Sequence, residues 1–307
     1  MILDLSDDAT EYGRQALKAF EAAGGDQLLV QADAKPDTRA GLVTSVLDGL
    51  GVFELEPRSD ADSLEAAAAL CRAAGYWALP YPVAERLACP ADLDVDGLVV
   101  VDADTPEAAL QGLDSRWAAV TLSGKRSTVT GLGSAGPSFA TALELSDLDQ
   151  SGAGDVALAL TLPSWTLLGM LDRAIDLTVA HVSLRKQFGQ TLSSFQGVQF
   201  QLTDAEVERG GADTLAKYAL WSLNTNPADE AINDALALRL AAIEAAEVMF
   251  RVCHQLHGAV GFCDETTLSW LSRYSQPLRR LPFGVSKTRD TLTTRLGRRG
   301  LTGLFSS

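Results

Sequence analysis

Two runs of about thirty residues, 194–224 and 228–257, carry apolar side chains at helical spacing with a single break between them. In the first, the apolar positions are Phe195, Val198, Leu202, Ala205, Ala212, Leu215, Ala219 and Leu223. In the second, they are Leu236, Leu240, Ile243, Ala246, Phe250 and Cys253. The break is Asn224-Thr225-Asn226-Pro227, where proline both lacks a donor and blocks the preceding turn. Thirty residues of helix span ~45 Å. Rods of that length joined by a short turn lie antiparallel and need apolar neighbours along their whole length. A third run, from Ser164 to about Lys186, supplies one neighbour, and segments near 268–273 and 286–296 complete a four-helix bundle. Gly210-Gly211 sits inside the first rod, where each glycine costs ~1 kcal/mol against alanine. Close approach of another backbone, from a second chain, would explain that choice.

Upstream, the pattern changes twice. The first ~85 residues give three helices: Asp8 to Ala23, stopped by Gly24-Gly25; Pro36-Asp37-Thr38 to Gly49; and SLEAAAALCRAAGYW, capped by Ser59-Asp60-Ala61-Asp62. Gly51 to Leu55 is expected as a short extended link. From Gly97 to about Leu162 the runs are short and β-rich: GLVVVDA, RWAAVTLSG, KRSTVTGLG, FATALELSD and DVALALTL. The expected fold is mainly α with a β insertion. It divides into an N-terminal helical domain (1–90), a small antiparallel middle β domain (91–162) and a C-terminal helical bundle (163–307).

Bulk properties narrow the function. A formal net charge of −15 argues against general nucleic-acid binding, although five Lys/Arg and one acid lie between Lys287 and Arg299. The amino terminus, MILDLSDDATEY, is acidic and lacks the cationic start and apolar core of a secretory signal. No apolar run of membrane-spanning length is evident, so no membrane partner is expected. Cys71, Cys89, Cys253 and Cys263 are too scattered for a disulfide scaffold, which points to a reduced, cytoplasmic protein. Cys253-His254-x-x-His257 has metal-like spacing, but the helical rhythm buries Cys253 and His257 and turns His254 elsewhere. Core packing is the better account, and no metal site is expected.

The stretch SLRKQFGQTLSSFQGVQFQLTD, 183–204, joins two of the rods. Gly189 suits a left-handed helix end, and Ser193 or Ser194 suits a cap for the next helix. Neither explains why Arg185, Gln187 and Gln196 gather at the joint, although Arg185 alone could be a helix C-terminal cation. Together with QLHGAVGF (255–262), and with the helix–sheet–bundle order of the whole chain, this stretch resembles the acyl-CoA dehydrogenase family. The match is motif-specific in the last domain only, and the spacing between the two motifs also fits.

The resemblance implies a FAD site shared across a subunit interface, where these two motifs hold the adenosine and pyrophosphate end of the flavin. The residues so implied are Arg185, Gln187, Phe188, Phe195, Gln196, Gln255, Gly258 and Ala259. Arg185 offers a planar charged fork for phosphate oxygens, the glutamines hydrogen bonds, Phe188 an aromatic surface, and Gly258 close backbone approach. Ala259 stands where the family has a second glycine, which narrows that approach. Asp264-Glu265 matches an acidic position in the family motif and is otherwise suited to capping the next helix.

The family removes a proton α to a thioester and passes a hydride from the β carbon to the flavin, which needs a carboxylate base in a dry site. Its two usual places fall near Pro282-Phe283 and near Ala159, and neither holds a carboxylate. The β region also lacks the family's Thr/Ser-rich loop over the flavin ring and is short. The implied reading has no catalytic residue of its own. It is the non-catalytic subunit of a heteromeric acyl-CoA dehydrogenase, an α2β2 heterotetramer with a catalytic partner that binds most of the acyl-CoA and delivers electrons to a separate acceptor. Some actinobacterial members are built this way and act on steroid side-chain thioesters. Two alternatives stay open: a self-sufficient homo-oligomer with a relocated base at Glu247, Asp264 or Glu265, and a non-enzymatic scaffold.

Overall fold

A computed structural model describes residues 4–297; the last two arginines of the basic tail, Arg298 and Arg299, lie outside the described residues. The chain begins with α1 (Asp7–Ala23), whose N-terminus is capped by the Ser6 hydroxyl accepting from the Ala9 amide. It stops at Gly24-Gly25, both at positive φ. A further helix, α2 (Asp26–Ala34), follows at once. It is too short to show a period in the sequence. A 3-10 turn at Pro36–Thr38 leads into α3 (Arg39–Gly49). The expected extended link at 51–55 is instead a series of turns. Asp60 caps α4 (Ala61–Tyr76) by accepting from the Ser63 amide at 2.7 Å, and α5 (Val83–Leu87) closes the region.

Five strands follow: β1 (Gly97–Val100), β2 (Glu107–Ala108), β3 (Trp117–Val120), β4 (Lys125–Ala135) and β5 (Thr141–Ser151). They form one sheet in the order β1-β3-β4-β5-β2. The sheet is mixed rather than antiparallel throughout, because β1 pairs parallel with β3. β1 is buried on both faces: Leu98 and Val100 pack toward the bundle, and Val99 and Val101 toward Leu110, Trp117 and Leu143. That explains its continuous apolar run.

The run DVALALTL is not a strand. It belongs to α6 (Ala153–Leu184), which starts ten residues before Pro163 and passes through it. Apolar side chains surround this segment, so no polar face shows a helical period. Pro163 removes one helical hydrogen bond. Thr161, Ser164 and Thr166 hydroxyls donate to the carbonyls of Ala157, Leu160 and Leu162 around it. With its true start, α6 is long and apolar enough to cross a membrane, against the sequence expectation. However, 83% of its apolar window is buried within the protein, as in a core helix.

After α6 come the two-stranded hairpin β6 (Lys186–Gln187) and β7 (Gln190–Thr191), then α7 (Gln196–Thr225) and α8 (Ala228–His257). α9 (Thr267–Tyr274), α10 (Gln276–Arg280) and α11 (Val285–Leu296) finish the described chain. α6, α7 and α8 pack on one another, with α9 and α11 against α8, and α4 crosses α6 on the other side. Two charge clusters lock these layers. Asp155, in the first turn of α6, accepts from Arg126 of β4 at 2.7 and 2.9 Å and from Arg58 at 2.9 Å. Asp172 of α6 accepts from Arg72 of α4 at 2.6 Å and from Arg209 of α7 at 2.6 Å, while Arg72 also reaches Asp213.

Candidate functional site

The joint between α6 and α7 is a β-hairpin, not a helix end followed by a serine cap. Arg185 ends α6 in extended geometry, and Lys186 and Gln187 pair with Thr191 and Gln190. Phe188 and Gly189 form the two-residue turn, both at positive φ (52° and 82°). That matches the handed turn which suits the twist of two strands, and it is the reason for Gly189. α7 begins at Gln196, with Phe195 at the N-cap and no side-chain cap, while the Ser194 hydroxyl donates back to the Thr191 carbonyl. Phe195 is therefore the residue before the helix rather than a member of its apolar stripe.

This hairpin projects its side chains outward. Phe188 is 92% exposed and touches Phe195 edge-on at 6.3 Å. Arg185, Gln187 and Gln196 are exposed, and among the described residues the Arg185 guanidinium has no hydrogen-bond or ion-pair partner. A left-handed non-glycine residue costs of order 1–2 kcal/mol, so Phe188 is held in this turn against its own preference.

The second motif arrives at the same end of the bundle. α8 ends at Gly258, at φ 65°, and Gln255, Gly258 and Ala259 are exposed. A Cβ at Gly258 would meet nothing within 4 Å, so backbone there is open to a ligand. The two segments, some seventy residues apart, are tied by a stack of His181 on His257 at 4.3 Å. His181 lies one turn before Arg185 and His257 immediately before Gly258. His254 stacks on Phe262 at 4.3 Å. Burial pushes all three imidazoles below their ordinary range, with His257 and Arg185 adding to the effect on His181. The histidine pair was not singled out from sequence, although the four-residue spacing of His181 and Arg185 on one helix face is visible there. Cys253 is in the core, its thiol toward the Ala174 carbonyl, and among the described residues no three His, Cys, Asp or Glu side chains gather as a metal site.

An outward guanidinium, an exposed aromatic ring, free amide side chains and open backbone fit a nucleotide diphosphate tail. This fit concerns the tail alone.

A second location lies between the layers. A cavity of about 120 Å³ is bounded by α4–α5, β1–β2, α6 and the 277–282 segment. Ala159 and Pro282, the two places where the resemblance puts a base, both line it. Glu247, Asp264 and Glu265 do not. Asp264 instead accepts from Arg273 at 2.8 Å, and the residue at the start of α9 is Thr266, so neither acid caps that helix. The cavity does contain a carboxyl that sequence analysis missed, Glu85 of α5, whose pKa is raised by burial against the opposing pull of Arg39. Its only sequence signal is an acid inside the apolar stretch YPVAERL. Ala78, Ser138 and Phe139, three of the four non-glycine residues at positive φ among the described residues, line the same cavity; the fourth is Phe188. Backbone strain thus concentrates at both locations.

Residues 162–285 match the family model for the acyl-CoA dehydrogenase C-terminal domain. Acyl-CoA dehydrogenase FadE28 of Mycobacterium tuberculosis is 32% identical over 140 residues, 45% of this chain and 40% of that protein. The 3-sulfinopropanoyl-CoA desulfinase of Paraburkholderia xenovorans is 26% identical over 278 residues, 86% of this chain and 66% of that protein. The matched regions span 25–40% of the first three curated relatives. Among solved structures, a variant of the Tcur3481-Tcur3483 steroid ACAD aligns with a TM-score of 0.79 at 17% identity, covering 95% of this chain and 98% of that one. The ChsE4-ChsE5 complex from Mycobacterium tuberculosis aligns with a TM-score of 0.74 at 16% identity, covering 96% and 99%. At these identities the structural likeness is one of fold.

Proposed function

We propose, from the match of residues 162–285 to the acyl-CoA dehydrogenase C-terminal domain model, that this chain is the non-catalytic subunit of a heteromeric FAD-dependent acyl-CoA dehydrogenase. The observation that carries the reading is the clasp at the bundle end. Arg185 faces outward with no hydrogen-bond or ion-pair partner among the described residues, and Phe188 is 92% exposed with the Phe195 ring edge-on beside it. Both relatives cited by structure are named as pairs, which supports a two-chain assembly. The lack of a carboxylate at Ala159 and Pro282 supports assigning the α-proton abstraction to the partner.

FAD, when bound, supplies the hydride acceptor for desaturating an acyl-CoA thioester, with a steroid side-chain ester as the candidate substrate. This chain's part is to hold the cofactor's tail. Arg185 pairs with the diphosphate; Gln187, Gln196 and Gln255 hydrogen-bond to it or to the ribose; Phe188 and Phe195 pack against it; Gly258 and Ala259 let backbone approach. The His181–His257 stack holds the two motifs together, and the lowered imidazole pKa values limit the positive charge placed beside Arg185.

The test is co-expression with a candidate catalytic subunit, followed by flavin quantitation. Arg185→Ala is expected to lower the FAD content of the assembled complex about tenfold or more, the loss of a charge-assisted contact, while the chain still folds and assembles. Full flavin occupancy and turnover by the chain alone would replace this reading with a self-sufficient enzyme. An unchanged flavin content in the variant complex would favour a scaffold.

A further inference from the structure

The cavity between the three layers holds more buried positive charge than its own acids neutralise. Arg39 is 3% exposed, and its Nε and Nη1 donate to the carbonyls of Pro80, Ala109 and Gln111, all neutral. Its Nη2 has no hydrogen-bond partner among the described residues. Arg239, also 3% exposed, donates to the carbonyls of Leu278, Leu281 and Phe283, and its buried Nε is unpaired. Neither guanidinium has a carboxylate within ion-pairing distance among the described residues, and burial pushes both down to about 10. Buried cations are ordinarily paired. Tyr81, whose hydroxyl has no partner among the described residues, and Glu85 add to the polar lining with Ser138, Thr166 and Tyr274. The second lining carboxylate, Glu107, is exposed and pairs with neither arginine. The remaining surface is apolar, from Leu29, Val99, Leu160, Met170 and their neighbours.

The Arg39 guanidinium also lies over the Phe139 ring at 3.9 Å, but neither arginine meets a carboxylate among the described residues. An apolar chamber with two such guanidiniums suits one kind of guest: an anionic head on a short apolar body. The volume sets the size. A cavity of about 150 Å³ lined by aliphatic and aromatic groups holds one benzene, so about 120 Å³ takes a guest of about six non-hydrogen atoms. We propose that this cavity is a binding site for a short-chain monocarboxylate of butyrate size, recognised by Arg39 and Tyr81, with Arg239 supplying long-range positive charge. Glu85 faces the same space; burial raises its pKa, and an anionic guest would raise it further, since two buried carboxylates repel. The site lies wholly within this chain and stands whether or not the flavin clasp does.

The experiment is calorimetry on the full chain, alone and in its complex, with butyrate as the probe and butyramide as its uncharged isostere. Butyrate is expected to bind at least about tenfold more tightly than butyramide, the usual scale for a hydrogen bond to a charged group. Tyr81→Phe is expected to weaken butyrate about threefold to tenfold and butyramide by less, since the bond to a charged acceptor is the stronger, and Glu85→Gln to leave butyrate binding equal or tighter. Equal binding of the two probes, or none of either, overturns the proposal. So does displacement of butyrate by butyryl-CoA, or loss of the complex's acyl-CoA oxidation in Glu85→Gln, since either makes the cavity an acyl site, the second with Glu85 as its base. None of these readouts depends on Arg185, so failure here and failure of the clasp are separable.

Discussion

At the scale of single residues, Phe188 shows a conflict between stability and use. It occupies the first position of a two-residue turn that favours Asn or Asp before glycine, and it exposes 92% of its surface. Phe188→Asn should keep the turn, relieve the left-handed strain and forfeit only the edge contact to Phe195. The expected outcome is a chain of equal or higher stability, by up to about 1 kcal/mol, with reduced FAD retention in the complex. Denaturant unfolding and flavin content measure the two halves; a clear fall in stability would show that the ring packs structurally. The same residue marks what sequence could disclose. Arg185, Phe188 and Gln196 stood out as chemical types in a motif, but Phe-Gly is a poor turn signal, so the hairpin was hidden behind an expected helix cap. Glu85 and Arg239 were hidden for another reason: their environment is assembled from segments as far apart as Leu29 and Pro282, and no local pattern encodes it.

At the scale of elements, the crossing of α4 and α6 sets the spacing of the layers and therefore the cavity. Gly75 and Gly169 let the two backbones touch: a Cβ at Gly169 would lie 1.9 Å from the Arg72 carbonyl oxygen, and one at Gly75 would lie 1.8 Å from that of Thr166. Backbone cannot yield there as a flexible side chain would. Gly169→Ala is expected to destabilise the chain by about 3 kcal/mol or more through overpacking, seen as a lower unfolding midpoint. A change within 0.5 kcal/mol, as at an ordinary surface site, would mean that the helices lie farther apart. The long helices were legible in sequence because each presents one apolar face over many turns, and α8 runs over the expected span. The first ten residues of α6 were not, because a segment buried on every side loses the periodicity that separates helix from strand.

At the scale of the whole molecule, the helix–sheet–bundle order was legible from periodicity and its breaks, whereas a candidate surface for another chain shows only in relief. Along α7, Phe200, Val207, Gly211 and Leu215 recur at helical spacing on one outward face, with Phe200 61% and Val207 66% exposed. Gly210 and Gly211 sit within that stretch, and a Cβ at either meets nothing within 4 Å among the described residues. Nothing internal therefore calls for glycine, and replacing both by alanine should stabilise the isolated chain by about 1 kcal/mol per site through helix propensity. If a partner's backbone lies against this face, the same two methyl groups would hold it away and weaken the assembly. The double substitution Gly210→Ala and Gly211→Ala is thus expected to raise the thermal midpoint of the chain alone while increasing dissociation of the complex in sedimentation velocity. Opposite signs in the two measurements locate the interface on α7. A stabilised chain whose complex assembles as tightly as before would place the partner elsewhere, and would leave the two glycines without a structural reason.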